Sequence, residues 1–290
     1  MKDKIWLLFI LITIVTWGIW GAFSDLQMDR DGIPETVVYI LWAVSMIPCA
    51  IVALCINKGK FMADWKSALL GCTVGLLGAG GQLVLFKALA IGPAYIIFPF
   101  ISMSPVIVIS LAALFLKEKA NRWQIAGIAV ALIAILLLSI QSGDGGPVSG
   151  WLWIVLAVLV LLAWGIQGFF MKFANNSMDA ESIFVWMAIS AVVLIPVAYY
   201  MNGDAAAFFA GADVTAKSLK CFGIQSLNSI GALTLVYAYR YGKAVIVSPM
   251  EGLSPMVTVL LSLIILAVVP TPLQIAGICC AAFAMYALSK

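Results

Sequence analysis

Two stretches 150 residues apart repeat one pattern. Residues 92–105, GPAYIIFPFISMSP, and residues 242–255, GKAVIVSPMEGLSP, put Gly92 on Gly242, Pro99 on Pro249 and Ser104-Pro105 on Ser254-Pro255. The register runs on to Gln124-Ile125-Ala126-Gly127-Ile128 against Gln274-Ile275-Ala276-Gly277-Ile278. A random apolar chain would not keep two proline positions and a five-residue match in one register. The chain is an internal repeat, so its architecture must be built twice.

Composition says what the repeat is made of. Apolar residues are 64% and charged residues 10%, where an ordinary soluble domain is charged at about a quarter of its positions. Ten apolar runs follow in order: 5–23, 33–56, 67–90, 93–116, 123–140, 150–173, 180–201, 218–241, 244–268 and 272–288. Runs of roughly 18 to 25 apolar residues suffice to cross a hydrocarbon layer of ~30 Å. Backbone groups in lipid must be paired within their own segment or in a closed barrel, so these runs read as ten transmembrane helices. The first run lacks a small-residue cleavage site and is followed by further spans, so it is expected to remain as a helix and not to serve as a signal peptide. A net charge of +3 carries no nucleic-acid signal in such a chain.

Orientation comes from the basic residues. With the N-terminus in the cytoplasm, the inner side holds Lys2, Lys4, Lys58, Lys60, Lys66, Lys117, Lys119, Arg122, Lys172, Arg240, Lys243 and Lys290. The outer side holds only Arg30, Lys87, Lys217 and Lys220, and it collects acids such as Asp25, Asp29, Asp31 and Asp204. That asymmetry fits the positive-inside pattern and predicts both termini in the cytoplasm, with a bacterial inner membrane as the expected location. Five spans separate each element from its repeat. Five is odd, so the second half is inserted upside down relative to the first. The expected halves are residues 1–140 (spans 1–5) and 150–290 (spans 6–10), joined by an outer linker at 141–149 rich in Gly and Ser. Inverted repeats of this kind build many carriers that alternate access to a midplane site.

Chemistry-bearing residues are few. Histidine is absent, and none of the six cysteines shows C-x-x-C spacing, so neither a metal site nor a cofactor is expected. Glu251 is the foremost candidate. It lies eight residues beyond Lys243, roughly 12 Å into the layer at 1.5 Å per residue. An ionised carboxylate there costs ~2.5–3.5 kcal/mol, so it should face a cavity or a partner, or carry a proton. It reads as a group that binds substrate or exchanges a proton, against the plainer reading of a buried acid satisfied by Asn228, Tyr237 or a lysine. Its counterpart in the first half is Ile101.

The prolines come next. Each removes a backbone donor and clashes with the carbonyl four residues earlier, so Pro99, Pro105, Pro249 and Pro255 should break spans 4 and 9 at matching depths. Loosened carbonyls at that depth must line protein or water, which makes these breaks candidate gating elements. Trp17-Gly18-Ile19-Trp20-Gly21 in span 1 and Trp164-Gly165-Ile166-Gln167-Gly168 in span 6 are matched motifs. They read as stacking or hydrogen bonding to substrate, or as an interfacial aromatic belt, the reading favoured for Trp20, Trp151 and Trp153. Gln82 is polar at mid-span. Asn228 and Gln225 are polar at depth, as ligands or as interhelical glue. Lys87 should snorkel to the outer surface, the reading favoured over anion binding. Arg240 reads as an orientation anchor, and Glu118 as a solvated inner-loop charge.

The inverted five-helix halves, the Trp-Gly motifs and the Gly-Pro…Ser-Pro spans together resemble the drug/metabolite transporter superfamily, in particular its EamA-type branch. The segment Leu116-Lys117-Glu118-Lys119, followed by Gln124-Ile125-Ala126-Gly127, is similar to that branch's usual junction of spans 4 and 5. The resemblance covers essentially the whole chain, departing at Val268-Val269-Pro270, where an acid is often found. It implies a central cavity built by spans 1, 3, 4, 6, 8 and 9, with spans 5 and 10 peripheral. That cavity would collect Trp17, Gln82, Tyr95, Ser102, Trp164, Gln167, Asn228, Tyr237 and Glu251. The expected activity is secondary transport of a small polar or amphipathic metabolite by alternating access, with Glu251 taking substrate or a coupling proton. One acid among aromatics favours zwitterionic or cationic, amino-acid-like solutes. An uncoupled facilitator of the same fold is the alternative. A membrane-embedded enzyme is disfavoured, since a nucleophile with its base is missing. The expected partners are a small-molecule substrate, the lipid bilayer and protons, with the chain a monomer or a homodimer.

Overall fold

The structure, a computed structural model, describes residues 4–92, 94–139, 151–211, 214–266 and 271–290. The side chains of residues 24–30, 89–90, 94–96, 99, 139, 262–263 and 265–266 also lie outside the described residues. The helices, in order, are α1 (Ile5–Asp31), α2 (Glu35–Ile56), α3 (Trp65–Ile91), α4 (Ala94–Ile101), α5 (Ser104–Phe115), α6 (Arg122–Ser139) and α7 (Leu152–Ala174). They continue with α8 (Ala180–Val193), α9 (Ile195–Met201), α10 (Asp204–Phe209), α11 (Val214–Tyr241), α12 (Ala244–Glu251), α13 (Ser254–Leu266) and α14 (Pro272–Leu288). Among the described residues, seven stretches are long and apolar enough to cross a membrane, and three shorter apolar helices at 104–115, 122–138 and 272–288 supply the remaining spans. The fold is all-α, ten membrane helices in two repeats.

Spans 4 and 9 each divide in two, as the prolines require. Pro105 and Pro255 stand in the first turns of α5 and α13 and cannot donate to the carbonyls of Ile101 and Glu251. The chain bridges both gaps with the same tight turn, Met103 N–H to Phe100 carbonyl at 3.2 Å and Leu253 N–H to Met250 carbonyl at 3.0 Å. The two breaks abut. A β-carbon on Gly252 would come within 3.6 Å of Pro105 Cγ.

Several boundaries differ from the sequence expectation. Helix α1 runs on to Asp31, past 23, and α11 begins at Val214, four residues before 218. Span 7 carries a third break at Leu194, two residues before Pro196, and the 202–217 connection holds the short α10.

Packing obeys an exchange rule between the halves. Helix α1 lies against α11, and its counterpart α7 lies against α3; α1 meets α13 as α7 meets α5; α2 meets α11 as α8 meets α3. Helices α6 and α14 pair with each other, as do α2 and α8. Individual residues follow the rule. A β-carbon on Gly18 would fall 2.3 Å from Val257 Cβ, and one on Gly165 would fall 2.5 Å from Ile107 Cβ. Where α6 meets α14, Ala131 and Ala134 are fully buried, and so are Ala281 and Ala284. Small residues let these backbones close together where lipid offers no hydrophobic drive to association. Lys4 Nζ donates to the Ser289 carbonyl at 3.2 Å, so both ends of the chain lie on one face.

Candidate functional site

Within this frame lies a cavity of about 360 Å³, in the size range of small-molecule sites. Both helix breaks open onto it through Ser102, Ser104, Pro105, Glu251, Gly252, Ser254 and Pro255. Trp17, Gln82, Ser102, Trp164, Gln167, Asn228 and Glu251 all line it. Tyr95 and Pro99 lie outside the described side chains. Pro249, expected to break span 9, instead lies buried inside the continuous α12, and the span divides only before Pro255.

Tyr237 is not on the cavity wall. Its hydroxyl donates to Glu181 Oε1 at 2.6 Å and its ring stacks on Phe9 at 4.9 Å. Tyr239, two residues on, takes its place on the wall. The wall also draws on spans that the resemblance left out: Trp42 and Met46 from α2, Ile135 from α6 and Met187 from α8.

The Trp-Gly motifs prove to be a matched interlock. Trp17 Nε1 donates to the Asn228 carbonyl at 3.1 Å, and Trp164 Nε1 to the Gly78 carbonyl at 3.4 Å. Each indole lies over a glycine one turn further along the same helix. A β-carbon on Gly231 would sit 2.3 Å from Trp17 Nε1, and one on Gly81 would sit 2.6 Å from Trp164 Nε1. Trp20, read as a belt residue, instead donates to Gln225 Oε1 at 2.9 Å and reaches the cavity. Trp42 Nε1 donates to Asn228 Oδ1 at 2.8 Å. Asn228 is therefore both glue and lining. Trp151, 71% exposed, fits the belt.

A model of the EamA-like transporter family matches residues 4–140 and, again, residues 151–290. The chain belongs to the EamA-like transporter family. It is thus a multi-pass membrane transporter and not an enzyme. An uncharacterised protein of Methanocaldococcus jannaschii is 31% identical over 132 residues, 46% of this chain but 94% of its own length. A protein of Streptantibioticus cattleyicolor, named a probable terminal-alkyne amino-acid exporter, is 27% identical over 96% of this chain and 90% of its own. A solved crystal structure, 12% identical, superposes with a TM-score of 0.78 over 99% of this chain and 97% of its own, and shares the fold.

On the face where Lys4 meets Ser289, charged side chains of this EamA-type chain cap helix ends. Glu118 is half-buried, and its Oε2 accepts the Val245 N–H at 3.1 Å, capping α12 from the 116–121 connection. It is not the freely solvated charge expected from the sequence. Burial pushes its carboxyl above the ordinary carboxylate range, opposed by the backbone donors and by Lys172 and Lys243. Lys172 Nζ donates to the carbonyls of Tyr239 at 2.9 Å and Gly242 at 2.6 Å, closing the end of α11. Arg240 donates to the carbonyls of Asn175 and Met178 at the end of α7. Cations at helix C-termini and an anion at an N-terminus complement the macrodipoles. On the opposite face Lys220 pairs with Asp31 at 2.6 Å. Lys87 is exposed and off the cavity wall.

Proposed function

We propose that the protein is a secondary carrier that moves a small zwitterionic or cationic, amino-acid-like metabolite through this cavity by alternating access, coupled to a proton carried on Glu251. One observation carries the reading. Among the described residues lining the cavity, Glu251 is the one carboxylate, no lysine or arginine accompanies it, and the rest is largely aromatic, thioether and aliphatic. Such a wall accepts a cationic group and an apolar body, and gives a bare anion no counter-charge. The amino-acid exporter name of the full-length relative supports the solute class and the outward direction. Two proline-broken helices abutting at the cavity supply hinges for the two halves, residues 1–140 and 150–290, to rock about. The distribution of basic residues supports a bacterial inner membrane with both termini in the cytoplasm.

The test is counterflow of radiolabelled L-leucine in proteoliposomes, with and without an imposed pH gradient. In the wild type the gradient accelerates exchange. In Glu251→Gln that acceleration is lost. Equal response in both proteins overturns Glu251 as the proton carrier. An uncoupled facilitator is the second reading. It is favoured by the asymmetry of the pair, since Ile101 stands where a symmetric carrier would hold a second acid, and it predicts no response to the gradient in either protein.

A further inference from the structure

Three buried oxygens meet at the cavity wall, two of them on the lining residues Tyr239 and Glu251 and the third on Ser248, packed behind the wall. They are Tyr239 Oη at the end of α11, and Ser248 Oγ and Glu251 Oε2, one turn apart on α12. Tyr239 and Ser248 are fully buried, at 0% exposure. The tyrosine hydroxyl faces both Ser248 and Glu251, yet none of the three atoms completes a hydrogen bond of normal geometry. Buried polar groups are nearly always satisfied, and each exception calls for an explanation.

The tyrosine is closely packed. Its side chain is fully buried, its hydroxyl lies against Gly168 of α7, where a β-carbon would come within 3.1 Å, and its backbone carbonyl accepts from Lys172.

The rest of the wall narrows the ligand. All four cavity tryptophans, Trp17, Trp20, Trp42 and Trp164, already donate their indole N–H to protein oxygens. What they turn to the cavity is ring. Ring faces attract a cation whether or not it carries N–H groups. Selection among cations must then come from groups that read N–H, and of these the buried oxygens are the ones that stand beside the carboxylate.

We propose that Glu251, Tyr239 and Ser248 form a primary-ammonium site, so that a free amino group is the required feature of the substrate. An R–NH₃⁺ group carries three N–H donors and one positive charge. The carboxylate supplies the counter-charge and accepts one donor, the Tyr239 hydroxyl accepts another, and Ser248 steadies the tyrosine from behind. A trimethylammonium carries the same charge with no N–H, and would leave the Glu251 oxygen and the Tyr239 hydroxyl without the donors they accept. An alcohol at the same position brings no charge. The assignment rests on the transport reading above and names the part of the solute that this cavity recognises.

The test uses purified full-length protein and four probes of one shape: L-leucine, N,N,N-trimethyl-L-leucine, 3-methylbutylamine and 2-hydroxy-4-methylpentanoate. Affinities are read by isothermal titration calorimetry. Leucine and 3-methylbutylamine bind, and the trimethyl and hydroxy analogues bind at least about tenfold more weakly. Tyr239→Phe weakens leucine by about tenfold and leaves the trimethyl analogue unchanged, a split that a merely structural tyrosine would not give. Two results overturn the assignment: equal affinity for leucine and its trimethyl form in the wild type, or equal losses for both in Tyr239→Phe. Binding by none of the four also overturns it. If counterflow then finds an amine-free solute that is carried, the transport reading stands without it. If no solute is carried, that reading falls too.

Discussion

Glu118 reaches from the connection after α5 to the first turn of a helix 127 residues further on. Two effects compete there. The carboxylate caps backbone donors at α12 and lies near Lys172 and Lys243, while burial penalises its charge, and burial dominates. A carboxyl raised in the folded state contributes stability that is fully present below its unfolded value, near 4.5. That contribution is lost as pH rises through the higher folded value. Glutamine keeps an acceptor for Val245 N–H and carries no charge to desolvate. We therefore expect Glu118→Gln to match or exceed the wild-type melting temperature at neutral pH, with the pH dependence from this group removed. Glu118→Ala loses the cap and should cost about 1 kcal/mol, read as a lower melting temperature in detergent. In the sequence, Glu118, Lys172 and Arg240 could be read only as markers of topology. Their work as helix caps depends on which helix end folding brings near, and spacing does not carry that.

The proline-broken spans show what a helix's own sequence does fix. Proline acts on the carbonyl four residues before it, so the breaks at 101–104 and 251–254 were visible along with their symmetry, and the break at Leu194 follows from Pro196 by the same rule. Rotational phase is another matter. Tyr237 and Tyr239 are two residues apart on α11, which turns them roughly 200° from each other. Only packing against α7 and α12 decides that Tyr239 faces the cavity and Tyr237 faces Glu181. Trp42 was illegible for a similar reason, because α2 carries no repeated motif and its indole finds Asn228 across a helix boundary. The interlock of α1 with α11 yields a sharp test. Gly231→Ala drives a methyl group into the Trp17 ring, 2.3 Å away, whereas a β-carbon on Gly223, two turns earlier on α11, meets nothing within 4 Å. Overpacking of this kind costs typically 1–3 kcal/mol, so Gly231→Ala should melt several degrees lower. Gly223→Ala should be neutral or slightly stabilising. Equal melting temperatures for the two variants would mean that the Trp17 contact does not hold α1 to α11.

At the scale of the molecule, the halves are interleaved and not merely joined. The principal helix pairs, α1 with α11, α3 with α7 and α6 with α14, each take one member from each half. Contacts inside a half are slight by comparison; α2 and α3, consecutive spans, barely touch. A half released alone would therefore expose the faces on which its helices depend, and those faces carry glycines shaped to the other half's side chains. The Methanocaldococcus jannaschii relative is matched along 94% of its length by less than half of this chain, which makes it about as long as one repeat. The present chain supplies both faces itself, and the tether should matter for stoichiometry more than for architecture. Cutting the gene within the 141–149 connection separates the repeats without touching any of these contacts. Each half expressed alone should aggregate or be degraded, while the two expressed together should copurify as one species of the full-length size on size-exclusion chromatography, with Glu251-dependent counterflow restored. A first half that is monomeric and stable by itself would show that packing within a repeat, and not between repeats, holds this bundle together.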